Sequence, residues 1–146
     1  MAEGLLPVGS EAPVFAANTT DGERVFLPDF RGKQAVLLMF YPQDDTPGCT
    51  RQMCLARDEG ELYRAAGVAR FGVNPGSLDS HVEFRDKYAL DFPLIVDQDA
   101  EIASAYGVLG AEYVNRATYL IDRDGRIAYA QPGTHGAGEV LGALRG

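Results

Sequence analysis

The sequence predicts a single α/β domain in which helices flank a mixed β-sheet. Three observations indicate this class. A continuous apolar run, Ala35–Phe40, has the length of a strand covered on both faces. Further short apolar runs alternate with helical patterns along the chain. Near the end, residues 122–125 supply a turn signal between two more apolar segments. With 146 residues, 46% of them hydrophobic, and no repeat or linker, residues 1–146 are predicted to form one domain.

The first part of the chain is predicted to be a loop followed by a hairpin. Residues 1–13 are loop-like because Pro7, Gly9 and Pro13 interrupt any regular pattern. Asp21 and Gly22 then precede the apolar residues 25–27, which is a hairpin signal between short strands. The apolar run at 35–40 follows as a central strand.

A helical pattern begins at Thr46. Thr46 is suited to the N-cap, Pro47 to the first helical position, and Gly67 to the end of the helix. Gly60 falls inside this predicted helix, where glycine costs about 1 kcal/mol relative to alanine. The sequence therefore predicts a helix that spans most of residues 46–67.

The second half alternates between strands and helices. We predict a strand at 68–73, a helix at 77–88, a strand at 94–96, a short helix at 101–106, a hairpin of 118–121 with 127–130, and a closing helix at 138–144. The helix at 77–88 has an apolar face supplied by Val82, Tyr88, Phe84 and Leu90. Arg70 interrupts the strand at 68–73, so we expect either an exposed strand start or an acidic partner. This order of elements matches a thioredoxin-like fold with an N-terminal β-hairpin extension.

Charge and hydropathy exclude several functions. The formal net charge is -8 and the 13 Lys and Arg are scattered singly, which disfavours nucleic acid and anionic membranes as partners. No apolar run is long enough to cross a bilayer, and the N-terminal residues do not resemble a secretory signal. We therefore expect a soluble, cytoplasmic protein. Two cysteines are too few for a disulfide scaffold or a four-cysteine zinc site, so they are either idle or redox-active thiols.

The segment 41–54, Tyr-Pro-Gln-Asp-Asp-Thr-Pro-Gly-Cys-Thr-Arg-Gln-Met-Cys, follows the strongest strand and opens a helix. With Thr46 as N-cap, Cys49 is the third helical residue. There the free backbone N–H groups and the positive end of the helix dipole favour the thiolate, which is the nucleophilic form. Cys54 lies five residues further on, where the N–H groups are bonded within the helix. An inert buried cysteine is the common alternative, but the helix start, the adjacent Gly48 and the nearby second cysteine favour Cys49 as a reactive sulfur.

These residues resemble a known active site. The pattern Pro42-x-x-x-Thr46-x-x-Cys49 is similar to the peroxiredoxin signature, and residues 40–50 resemble its Q-type (bacterioferritin comigratory protein-like) subgroup. Many members of that subgroup have a second cysteine where Cys54 stands. Residues 74–81 resemble the loop and helix start of the family, and residues 115–122 resemble its strand preceded by the active-site arginine, here Arg116. The resemblance covers nearly the whole chain.

The resemblance implies a thiol-dependent peroxidase. Cys49 would attack a hydroperoxide and become a sulfenic acid, and Cys54 would resolve it as an intramolecular disulfide that thioredoxin or a similar dithiol reduces. The Thr46 hydroxyl, the Cys49 backbone N–H and the Arg116 guanidinium would stabilise the charge that develops on the peroxide, while Pro42 would shield the sulfur from water. The resemblance implies no cofactor and no metal, and it suggests a monomer or weak homodimer.

Four other polar residues near these motifs are assigned no acid–base role. His81 and His135, the only histidines, are both expected at the surface. Asp44 and Asp45 are adjacent on a predicted turn and are expected to point apart into solvent.

Other functions remain open on the sequence alone. A thioredoxin-like disulfide oxidoreductase would use Cys-x-x-Cys and a cis-proline, whereas here four residues separate the cysteines and residues 115–119 contain no proline. A metal-binding redox chaperone would need a histidine near the cysteines. A cysteine protease would pair Cys49 with His81 or His135, and a holdase or binding module would not depend on Cys49. The peroxidase interpretation ranks ahead of all four.

Overall fold

The computed structural model describes residues 4–144. Residues 1–3 of the loop predicted over 1–13, and residues 1–3 and 145–146 of the domain predicted over 1–146, lie outside the described residues. Within the described residues, the strands are β1 (Ala16–Thr19), β2 (Arg24–Phe26), β3 (Ala35–Phe40), β4 (Val68–Asn74), β5 (Leu94–Val96), β6 (Ala117–Ile121) and β7 (Ile127–Pro132). The helices are α1 (Pro47–Asp58), α2 (Gly60–Ala65), α3 (Leu78–Lys87), α4 (Glu101–Ala105) and α5 (Ala137–Gly142). One turn of 3-10 helix, Leu27–Phe30, follows β2.

The strands form one mixed sheet in the order β2-β1-β5-β4-β3-β6-β7. The central strands β3, β4 and β5 are parallel, while the hairpin β1–β2 and the hairpin β6–β7 add antiparallel edges on either side. The predicted mixed sheet, thioredoxin-like order and N-terminal hairpin are therefore confirmed. Among residues 4–144, no helix combines the length and apolar character that crossing a membrane requires.

Strand β3 lies in the interior of the sheet, between β4 and β6, and its side chains are apolar on both faces. Val36, Leu38 and Phe40 pack into a cluster completed by the N-terminal hairpin and α4. Leu37 and Met39 pack into a second cluster that α1, α2, α3 and α5 cover. Successive side chains of a strand point to opposite faces, so a continuous apolar run is what a strand between two cores requires.

The helix predicted over 46–67 is divided in two. Glu59 has φ −94° and ψ 14°, which separates α1 from α2, and Gly60 is the first residue of α2 rather than an interior residue. A Cβ at Gly60 would lie 2.9 Å from Arg64 Nη1 and 2.9 Å from Asp91 Oδ2. The glycine therefore allows the helix junction to pack closely against charged side chains.

Arg70 is buried in β4 and has the acidic partner that the sequence could not identify. Its Nη1 and Nη2 donate to Asp91 Oδ1 and Oδ2 at 2.8 and 3.1 Å, and Nη1 also donates to the Ala56 carbonyl at 2.8 Å. The side chain is only 4% exposed, so the alternative of an exposed strand start is wrong. The guanidinium joins β4 to the last turn of α1.

The buried face of α3 differs from the predicted one. Phe84 and Leu90 are buried, whereas Val82 and Tyr88 are only half-buried. His81 takes the remaining buried position on this face and has no exposed area.

Candidate active site

The topology explains how two segments far apart in sequence meet. Strand β6 runs antiparallel to β3, and Ala117 pairs with Phe40 at the carboxyl end of β3. Arg116 immediately precedes β6, so it lies beside the loop that leaves β3. That loop, residues 42–46, leads into α1, which begins at Pro47. The start of α1 and Arg116 therefore converge at one edge of the sheet.

Cys49 is the third residue of α1 and is fully buried in the second core cluster. Its backbone N–H belongs to the first turn, where helical N–H groups have no acceptor in their own helix. The helix dipole adds positive potential at the same place. The predicted placement of this sulfur at a helix start is thus present in the structure.

Arg116 contacts the sulfur directly. Its Nη1 donates to Cys49 Sγ at 3.4 Å and to Gln52 Oε1 at 2.6 Å. Gln52 is 2% exposed, and its amide nitrogen donates to the Phe40 carbonyl at 3.4 Å. Gln52 therefore holds the guanidinium against the sulfur and is itself fixed to the end of β3.

Gln52 was missed by the sequence interpretation. It lies three residues after Cys49, and residues three apart share one face of a helix. A search for polar residues at this spacing from the reactive cysteine would have found it.

Gly48 permits the close approach of Arg116. A Cβ at this position would lie 3.0 Å from Arg116 Nη2, closer than side-chain atoms normally approach. The absence of a side chain next to the sulfur lets the guanidinium lie directly against the first turn of α1.

Thr46 and Pro42 both lie in the loop between β3 and α1. Thr46 is at the N-cap position with extended backbone angles, as predicted, but its hydroxyl does not cap the helix. The hydroxyl donates instead to the Gln43 carbonyl at 3.0 Å, within the same loop. Pro42 is half-buried. The helix start thus depends on Pro47 and on the extended backbone of Thr46 rather than on a side-chain cap.

Cys54 is half-buried, lies on the same helix as Cys49, and both thiols are free. In regular α-helix, residues five apart have Cα atoms about 8.7 Å apart. A disulfide requires roughly 4.4–6.8 Å. The two sulfurs cannot be bridged while this part of α1 remains helical.

The expectations for Asp44 and His81 are wrong. His81 Nδ1 lies 2.6 Å from Asp44 Oδ2, and the two side chains are 0% and 7% exposed. Burial alone would raise the pKa of Asp44, but hydrogen bonds from His81, Ser80 and Tyr41 hold that pKa below its usual value. Burial, followed by the neighbouring Asp44 carboxylate, raises the pKa of Tyr41 well above its usual value, so its hydroxyl stays a donor.

Asp45 and His135 lie closer to the surface positions that the sequence predicts for them. Asp45 is exposed and accepts hydrogen bonds from Lys87 and Tyr88. His135 is partly exposed, with a quarter of its side chain accessible, and its nitrogens contact the Pro132 carbonyl and Glu139.

Both histidines have partners other than Cys49, so the geometry gives no support to a protease-like cysteine–histidine pair. Over residues 4–144, His, Cys, Asp and Glu side chains are nowhere grouped in threes as a metal site would require.

Comparison with known proteins gives one consistent result. The model of the AhpC/TSA family matches residues 8–130. The chain is 39% identical over 150 aligned residues to a putative peroxiredoxin bcp of Coxiella burnetii, covering 95% of this chain and 99% of that protein. It is 38% identical over 130 residues to peroxiredoxin Bcp of Bacillus subtilis, covering 84% and 82%. A crystal structure of a cysteine-to-serine mutant of Xylella fastidiosa PrxQ superposes with a TM-score of 0.87 at 25% identity, covering 96% of both chains.

Proposed function

This chain is a member of the AhpC/TSA family, and we propose that it reduces hydroperoxides by a two-cysteine cycle in which Cys49 attacks and Cys54 resolves. It is a thiol-dependent peroxidase of the peroxiredoxin type. One observation carries the assignment of the nucleophile: Cys49 is buried in the first turn of α1 with Arg116 Nη1 donating to its sulfur at 3.4 Å.

In the first step the Cys49 thiolate attacks one peroxide oxygen. The S–O bond forms as the O–O bond breaks, the sulfur is oxidised to a sulfenic acid, and the leaving oxygen takes a proton and departs as water or an alcohol. The Arg116 guanidinium keeps its charge at any working pH and lies where negative charge develops. The Cys49 N–H supplies a further donor, and so does the Thr46 hydroxyl when it turns from the Gln43 carbonyl to the bound peroxide. Pro42 limits access of water to the sulfur.

In the second step the Cys54 thiolate attacks the sulfenic sulfur. The S–S bond forms as the S–O bond breaks, and the departing hydroxide takes a proton and leaves as water. Since Cys49 and Cys54 lie on one helix, this step requires the segment between them to unwind. A dithiol such as thioredoxin then reduces the disulfide by exchange and restores both thiols.

We further propose thioredoxin as the reductant, a cytoplasmic setting, and a monomer or weak homodimer. The resemblance to the Q-type subgroup supports the reductant and the oligomeric state, while the proposed cytoplasmic setting rests on the composition and hydropathy of the chain. The rival activity of a thioredoxin-like oxidoreductase is less well supported, because its two sulfurs belong within one helical turn, whereas Cys49 and Cys54 are five residues apart on intact α1.

The test is hydroperoxide-dependent NADPH oxidation in the presence of thioredoxin and thioredoxin reductase. The wild-type protein should sustain turnover with hydrogen peroxide and with an organic hydroperoxide. Cys49→Ser should lower turnover at least about a thousandfold with every reductant, because the hydroxyl cannot replace the thiolate nucleophile. Substantial activity in Cys49→Ser would show that the nucleophile is assigned wrongly.

A further inference from the structure

The loop of residues 42–46 rests on a buried charge pair that the peroxidase cycle does not use. Asp44, in the middle of this loop, accepts three hydrogen bonds. Tyr41 donates to its Oδ1 at 2.7 Å, Ser80 donates to its Oδ2 at 2.7 Å, and His81 Nδ1 lies 2.6 Å from the same Oδ2. Ser80 and His81 belong to α3, so the carboxylate fastens the loop to that helix.

The partners of His81 define where its protons are. Its Nε2 lies 3.0 Å from the Asn74 carbonyl, which can only accept, so Nε2 carries a hydrogen. Its Nδ1 faces the Asp44 carboxylate, and a further proton must lie between these two atoms for a hydrogen bond to form. With that proton on the ring, His81 is an imidazolium and Asp44 a carboxylate. The lowered pKa of Asp44 agrees with this distribution.

The surroundings leave the ring little freedom. Asn74 donates to the Tyr41 carbonyl at 2.7 Å and accepts from the Gly76 backbone at 2.7 Å. A Cβ at Gly76 would lie 3.1 Å from His81 Cε1, so the Gly76 backbone packs directly on the ring. His81 is therefore held between the end of β4 and the loop, with no exposed area.

A buried ion pair contributes little to stability, because the loss of solvation offsets much of the attraction. It does impose one geometry, since each partner left alone would be a buried charge without compensation. This fixed geometry also constrains the neighbours of Asp44 in the loop, Pro42 two residues before it and Thr46 two residues after it.

We propose that Asp44 and His81 are positioning residues, which hold the 42–46 loop so that the Thr46 hydroxyl reaches peroxide bound at Cys49. The inference rests on the proposed peroxidase function and adds residues that touch neither peroxide nor sulfur. Without the pair, the loop separates from α3 and the Thr46 hydroxyl loses its orientation, while α1 from Pro47 onward and Arg116 stay in place.

Asp45 provides a matched control. It is the next carboxylate in the chain and also pairs with α3, through Lys87, but its side chain is 40% exposed and that of Lys87 is 58% exposed. Exposed ion pairs contribute little, and asparagine tolerates the positive φ of 55° at this position. Asp45→Asn should therefore leave peroxide reduction within about twofold of wild type.

The experiment compares two reactions of Cys49 in a Cys54→Ser background, where it is the only thiol. The first is the reaction with hydroperoxide, which is monitored by quenched-flow mass spectrometry and requires an oriented Thr46 hydroxyl. Alkylation by iodoacetamide requires only an accessible thiolate. Asp44→Ala should slow the peroxide reaction about 10- to 100-fold, as expected when a reacting group is misplaced by about 1 Å. It should not slow alkylation, because a loosened 42–46 loop, which includes Pro42, exposes the sulfur rather than covers it.

Asp44→Asn, which keeps the shape but removes the charge and replaces one acceptor oxygen by an NH2 donor, should give an intermediate loss. It also carries the test if Asp44→Ala does not fold. In a Thr46→Val background, the Asp44 substitutions should cause little further loss, since a positioning residue acts only through the group it positions.

Three results would overturn the proposal: equal losses in the peroxide and alkylation reactions, losses that simply add to that of Thr46→Val, or an Asp45→Asn effect as large as that of Asp44→Asn. A failure of the proposed function looks different, because peroxide would then not react with Cys49 in the parent protein either.

Discussion

The two cysteines of α1 lie in different surroundings. Cys49 has no exposed area, lies in the first turn of α1, and accepts a hydrogen bond from Arg116. Cys54 is half-buried in the second turn, where the backbone N–H groups are bonded within the helix. Helix position and one guanidinium, rather than the thiol itself, distinguish the sulfur that we propose to attack the peroxide.

The largest expected effect is that of Cys54→Ser, which tests the difference between the two cysteines. The variant should consume one equivalent of hydroperoxide and form a sulfenic acid at Cys49, because every group around that sulfur is unchanged. Turnover with thioredoxin should then be lost, and excess peroxide should carry the sulfur to sulfinic acid. Dimedone trapping with mass spectrometry measures the first outcome, and the coupled assay measures the second.

Reduction of the wild-type disulfide under the same conditions is the control. If Cys54→Ser formed no sulfenic acid, Cys54 would be the attacking sulfur and the roles of the two cysteines would be reversed.

Arg116→Ala should give the next largest effect. The substitution removes the charge that lies against Cys49 and leaves the Gln52 amide oxygen without its donor. The second-order rate constant for peroxide should fall about 100-fold, as for the loss of a donor to a developing oxyanion. Arg116→Lys should recover only part of the rate. Lysine offers one nitrogen, whereas Arg116 uses Nη1 for Sγ and Gln52 and keeps Nη2 against the first turn of α1.

Stopped-flow kinetics with Cys54→Ser as the parent isolates this step. A rate constant for Arg116→Ala equal to that of the parent would remove Arg116 from the active site despite its contact with the sulfur.

The parts of the site that the sequence predicted are those built from local chemistry. The helix start at Pro47 follows from proline and a preceding extended residue, and it alone places Cys49. Arg116 could be placed only by family resemblance, since its contact depends on the register between β3 and β6. The sequence predicts surface positions for Asp44 and His81 because no local pattern marks a buried histidine; the burial of the pair depends on how α3 packs over the loop. Long-range packing is the information that a single sequence lacks.

Oxidation should change the two ends of α1 unequally. The disulfide requires residues 48–54 to leave the helical conformation. Beyond them, Arg70 donates to the Ala56 carbonyl and α2 packs on β4, which holds the far end. Amide hydrogen exchange should therefore become faster over residues 48–55 in the oxidised protein and stay slow in α2 and β4. Equal protection of α1 in both forms, with the disulfide confirmed by mass spectrometry, would contradict this division.

The smallest expected effect is that of Gly60→Ala. This variant tests whether the cluster of Arg64, Arg70 and Asp91 holds the C-terminal end of α1. In an ordinary helix interior, this change would stabilise the protein. Here the added methyl would lie 2.9 Å from Arg64 Nη1 and Asp91 Oδ2 and 3.1 Å from Arg70 Nη1, so the ion pairs must shift. We expect a loss of about 1 kcal/mol in the free energy of unfolding, measured by urea denaturation.

The peroxide step at Cys49 should be unchanged in Gly60→Ala, because none of these residues contacts the sulfur or Arg116. Disulfide formation should become faster, since a weaker bond from Arg70 to the Ala56 carbonyl lets α1 unwind more readily. A more stable Gly60→Ala protein with slower disulfide formation would show instead that Gly60 acts as a helix-weakening residue and that the cluster does not hold this end of α1.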